Sequence, residues 1–271
     1  MKHYFATMAL AALCTTIFLA CGTSYRSANT NRTPQHPTTM GFDRHLNHII
    51  FTDKAPKSKG AHIYHAIVSN PDAYIRDVAR TVMQTLYFSP NDSIPMCRTL
   101  HYTLEDIDGI SAKNGDNGNI SIFYSTRHVE KSFEQQDTAK VLFETRGVLL
   151  HELTHAFQLE PQGIGNYGSN RTFWAFIEGM ADAVRVACDG FHGETDRPKG
   201  GSYKDGYRRT GYFFNWVREH KDKDFLRKMN RSTLEVIPWS WDGAVQYALG
   251  TQYTMDGLWH EYQLAVGDIT Q

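Results

Sequence analysis

The sequence predicts an α+β domain: a small mixed sheet packed against one long helix, followed by a mostly helical C-terminal half. Three observations carry this. Residues 48–52, 98–104 and 119–125 alternate apolar and polar side chains, the period of half-buried strands. Residues 138–158 place Leu142, Leu149, Leu150, Leu153, Ala156 and Phe157 at spacings of three, four and seven, the stripe of a helix buried along one side. Beyond it, 173–187, 203–220, 225–229 and 251–262 repeat the helical period.

Taken in order, the chain opens with a leader. Lys2 and His3 precede an apolar run over 4–20, short for a spanning helix and suited to a signal peptide over 1–20. The run ends Phe18-Leu19-Ala20-Cys21-Gly22, which resembles a bacterial lipobox with Cys21 as the acylated residue, although Phe18 stands where Leu is commonest. Two acyl chains on Cys21 would give the anchor that stable membrane attachment requires; cleavage near Ala20 and secretion is the alternative. Either places the protein in the cell envelope or outside it. Residues 21–40 are rich in Ser, Thr, Asn, Pro and Arg and read as a disordered tether, so the folded domain is expected over 41–271.

Within that domain, Asn70-Pro71-Asp72 starts a helix, with Asp72 expected as its cap and Ile75, Val78, Ala79, Val82, Met83 and Leu86 as its buried stripe. Residues 106–118, rich in Gly, Asp and Asn, read as a turn-rich loop. The Gly-rich stretch 189–202 and residues 238–243 read as further loops, and Phe213, Phe214, Trp216 and Trp259 as core. The charge is nearly balanced, 28 Lys+Arg against 29 Asp+Glu, which argues against nucleic acid or another polyanion as partner. With 41% hydrophobic and 13% aromatic residues the chain can bury one large core.

The long helix carries His151-Glu152-Leu153-Thr154-His155. His151 and His155 leave one face a turn apart, and Glu152 flanks them. Two neutral imidazoles with a glutamate beside a metal-bound water is the HExxH arrangement for one zinc ion. A catalytic zinc takes three protein ligands and keeps a corner open, and the next helix supplies Glu178 as the third. Asp182, one turn on, can accept the N–H of a ligating histidine and fix its tautomer. Two carboxylates on a largely apolar helix are costly to bury unless a cation faces them.

The stretches LEDIDGISA, NISIFYSTRHV, VLLHELTHAFQ, FIEGMADAVR, DGYRRTGYFFNWV and DGLWHEYQ together resemble the plant and bacterial basic secretory protein family, zincin-like peptidases, over about residues 46–264. The resemblance implies a zincin-like fold, His151, His155 and Glu178 as zinc ligands, Glu152 as base and Asp182 behind a ligand. It departs from the plant members in being nearly neutral and in its lipobox-like leader. Gln158 stands where the HExxHxxGxxH pattern needs Gly, and there is no third histidine at that spacing, which disfavours a metzincin.

The reaction these residues suit is peptide hydrolysis: zinc lowers the pKa of a water, Glu152 takes its proton, and a nearby donor holds the oxyanion. Tyr207 is the expected donor, with Tyr167, Tyr203, His192 and His220 as rivals. A strand just before such a helix is where zinc peptidases put the sheet edge that pairs with substrate, so 119–125 is expected there. The substrate would be protein or peptide, glycosylated or not, and the enzyme a monomer. Cys97 and Cys188 could pair in an oxidising envelope. His62, His65, His101 and His128 have no ligand spacing. A zincin fold that binds peptide or glycoprotein without cutting it, or a structural zinc closed by a fourth ligand, are the competing readings.

Overall fold

The computed structural model describes residues 41–270; the expected leader, Cys21 anchor and tether fall outside them. After a 3-10 turn at Gly41–His45 the elements run β1 (Leu46–Asp53), α1 (Lys59–Ile67), α2 (Pro71–Leu86), β2 (Cys97–Glu105), β3 (Ser111–Asp116), β4 (Asn119–Ser125) and α3 (Thr126–Ser132). Then follow α4 (Thr138–Phe157), α5 (Arg171–Ala187), α6 (Tyr207–His220), α7 (Phe225–Glu235), α8 (Trp241–Leu249) and α9 (Met255–Ala265). This is an α+β domain with all its described strands in the first half. None of the described helices is long and apolar enough to cross a membrane.

The sheet order is β1-β2-β4-β3. β1, β2 and β4 are parallel and β3 is antiparallel to β4. Leu100, Tyr102 and Leu104 on β2 and Ile120, Ile122 and Tyr124 on β4 face one apolar core that continues through α2, α4 and the C-terminal helices. The sheet meets α4 there: β3 lies against the helix, and the Tyr124 hydroxyl is 3.2 Å from Thr145 Oγ1.

Several expectations change. β4 is internal, paired on both sides, so it has no free edge to offer a substrate. The edge is β3, within the stretch expected to be a loop. Its cause is local: Asn117 (φ 48°) and Gly118 (φ 81°) are the two central residues of the hairpin, both left-handed as the tight turn between β3 and β4 demands. The cap of α2 is Asn70, whose side chain accepts from Ala73 N, while Asp72 lies in the first turn and pairs with Arg76. On α4, Val141 and Val148 are buried and Leu142 is 38% exposed. The expected helix over 203–220 is broken at Gly206, and Ser240 caps α8 inside an expected loop. Cys97 and Cys188 are both free thiols.

The contact that matters most for the site is α5 against α6. Gly211 on α6 approaches Asp182 so closely that a Cβ there would stand 2.8 Å from the Asp182 backbone carbon. Only glycine lets α6 press on this point of α5, where Asp182 reaches across to His151 on α4.

Candidate metal centre and cleft

α4 and α5 lie side by side and bring three side chains to one point. His151, His155 and Glu178 each offer a ligand atom, all within 4.8 Å of one another. The Nε2 atoms of His151 and His155 are 3.0 Å apart, and Glu178 Oε2 lies 3.3 Å from the first and 3.6 Å from the second. Two donors at zinc distances in a tetrahedron stand about 3.3 Å apart, so this triangle fits a divalent ion without rearrangement. The group has three members among the described residues, which matches an open rather than a closed site.

Asp182 Oδ1 lies 2.7 Å from His151 Nδ1 and accepts its N–H, so Nε2 is the nitrogen turned toward the other two ligand atoms. His155 has its own partner, which sequence reasoning missed. The Gln158 amide sits 2.8 Å from His155 Nδ1. With Nε2 placed there, Oε1 is left buried and unpaired. Turned end for end, the amide oxygen accepts from Nδ1–H and gives His155 the same tautomer as His151. The signal was the spacing of Gln158 three residues after His155.

The electrostatics suit a cation. Burial works against a charge on His151, but Asp182 and Glu178 overcome it and push the imidazole up to about 10. Burial likewise opposes the Glu178 carboxylate, and the two imidazoles still hold it well below the usual carboxylate range. The metal-free site therefore carries a proton on His151 at neutral pH, which an arriving ion must displace. About one proton released per ion bound at pH 7 is expected, with affinity rising about tenfold per pH unit until pH approaches 10. Titration calorimetry in buffers of different ionisation enthalpy reads this directly; no release at pH 7 would contradict it.

Two cavities, of about 710 and 300 Å³, meet at the site and share Ser111, His151, Glu152 and Tyr207 in their walls. Glu152 is 6% exposed, yet it lines both. Ser111, Ala112 and Lys113 place the β3 edge along the smaller cavity. Tyr207 stands over His151, ring centroids 6.1 Å apart and nearly parallel, with Trp174 against its edge. Its backbone is left-handed (φ 46°), a conformation that costs a non-glycine residue on the order of 1 kcal/mol or more and clusters at functional sites. Gly206 makes the turn possible: φ is 74° and a Cβ would strike the Trp174 ring at 2.7 Å. Burial, then the charges of Glu178 and Asp182, push the Tyr207 hydroxyl up to about 12, so it remains a donor.

The rivals lie elsewhere, with one exception. Tyr203 donates to Asp256, His192 stacks on Phe143, and His220 stacks on Trp216 in a separate cavity. Tyr167 is at the site, its hydroxyl donating to Glu178 Oε1 at 2.5 Å. His62, His65 and His128 are engaged with Pro56, Asp53 and Glu144 respectively, outside any metal-ligating group among the described residues.

Fold and site together define an α+β domain whose two longest helices hold a three-residue group able to bind a metal ion. A family model described as a peptidase of plants and bacteria matches residues 45–262, and the chain belongs to that family, the basic secretory proteins. No curated protein and no solved structure matches the chain.

Proposed function

We propose that this protein is a zinc-dependent endopeptidase of zincin-like fold, acting in the cell envelope on protein or glycoprotein substrates. The observation that supports it best is the triangle of His151 Nε2, His155 Nε2 and Glu178 Oε2 at the meeting point of two cavities, with Glu152 beside it. An ion bound there supplies Lewis acidity, making a water nucleophilic at neutral pH and polarising the scissile carbonyl. Glu152 takes the proton of the attacking water and later returns it to the leaving amine. Tyr207 donates to the oxygen on which negative charge develops. Asp182 and Gln158 hold His151 and His155 in the tautomers that keep Nε2 free.

A substrate strand has one sheet edge to pair with at the cleft, β3, whose residues 111–113 line the smaller cavity. Pairing main chain to main chain there holds a peptide whatever its side chains, with the peptide passing Glu152 and Tyr207. A peptidomimetic complex lacking main-chain bonds to residues 111–116 would remove this part of the reading. The leader sequence supports the envelope location and an acyl anchor on Cys21.

Digestion of casein and of a glycoprotein by the purified protein, with and without chelator, tests the whole. Cleavage that stops on chelation and returns with zinc is expected, with mass spectrometry reporting internal cut sites. Metal uptake without any cleavage would leave a peptide-binding protein instead.

A further inference from the structure

We infer that Tyr167 is a positioning residue that restricts Glu178 to one ligand oxygen, an inference that rests on the metal reading above. The two oxygens of Glu178 have different surroundings. Oε2 points at the imidazole pair, 3.3 and 3.6 Å from the two Nε2 atoms. Oε1 accepts from the Tyr167 hydroxyl at 2.5 Å, the length of a strong hydrogen bond to a carboxylate. A glutamate free to bind through both oxygens would take two coordination positions. A catalytic site with three protein ligands has to keep one for water. Tyr167 holds back the oxygen that would compete for that place.

The loop is built for this task. Tyr167 lies between the two ligand-bearing helices, three residues before Asn170, the residue that caps α5 by accepting from Thr172 N and Phe173 N. The Asn170 side chain also donates to Ile164 O, and Trp239 N donates to Gln162 O, so the loop is tied to its own helix and to the C-terminal half. Gly168 N and Asn170 N both bond back to Asn166, closing a tight turn around Tyr167. The phenol and the carboxylate it caps thus belong to one rigid piece of chain. Although 46% exposed, the ring lines the smaller cavity, so it also faces the space where substrate would lie.

The exposure makes Tyr167→Phe a safe variant, since only the hydroxyl is lost. Zinc affinity, measured by competition with a chromophoric chelator, should fall 10- to 100-fold. The visible spectrum of the cobalt-substituted variant should weaken relative to wild type, because the released oxygen raises the coordination number. The value of kcat should fall while KM stays near wild type. Tyr207→Phe, by contrast, should lower kcat and leave both metal readouts unchanged. Wild-type zinc affinity and an unchanged cobalt spectrum in Tyr167→Phe would overturn the inference, and a kcat loss alongside them would make Tyr167 a direct donor to substrate. A wild-type protein that takes up no zinc would overturn the metal reading itself, and this inference with it.

Discussion

Replacing Glu152 by Gln is expected to leave the metal content of the protein unchanged and to lower kcat by roughly 10²- to 10⁴-fold. Glu152 sits between the two histidines on α4 and is 6% exposed, yet it lines both cavities. It is not one of the three side chains that converge as ligands. Glutamine keeps the volume and one oxygen of the side chain but cannot accept a proton at neutral pH. The loss therefore falls on the step in which a proton moves, and KM should change little because substrate binding does not use that proton. Two results would count against the assignment. A variant that keeps its turnover would show that another group is the base. A variant that loses its metal would place Glu152 among the ligands and leave the reaction without a named proton acceptor.

Much of this site was legible because its parts are local. His151, Glu152 and His155 are fixed relative to one another by the pitch of a single helix, and so are Glu178 and Asp182 on the next. The loop between these helices, residues 158–170, is too long to fix their packing; the pointer was that buried carboxylates need a cation opposite them. The parts that escaped depend on contacts the chain does not announce. β3 has no large apolar side chain and becomes a strand because the Asn117-Gly118 turn folds it onto β4; that dipeptide was the available signal. α1 (Lys59–Ile67) went unrecognised because it is short, although Ser58 caps it. The break at Gly206 was invisible because residues 203–220 keep a helical period across it, and without the break Tyr207 would not face the cleft. Tyr167 was placed among the rival donors because nothing in sequence shows that its loop turns back to Glu178, eleven residues on.

Replacing His155 by Ala is expected to abolish metal binding and bring activity to the background of the metal-free protein. A readout of stability makes this separable from misfolding. An ion that binds the folded chain at a thousand times its Kd stabilises it by about 4 kcal/mol. For a domain of this size each kcal/mol moves Tm by roughly 2–4 °C, so wild type should melt roughly 8–16 °C higher with zinc than with chelator. His155→Ala should melt at one temperature in both, because a histidine and a carboxylate alone no longer enclose the ion. The variant should still unfold cooperatively. The His155 side chain is 13% exposed, and its removal takes a partner from the Gln158 amide, His151 Nε2 and Glu178 Oε2, all of which line the cleft and can be hydrated there. If His155→Ala kept a chelator-sensitive Tm of wild-type size, the ion would be bound elsewhere. The convergence of α4 and α5 would then be an ion-paired core contact between two helices, and hydrolysis would have to be sought at another place in the fold.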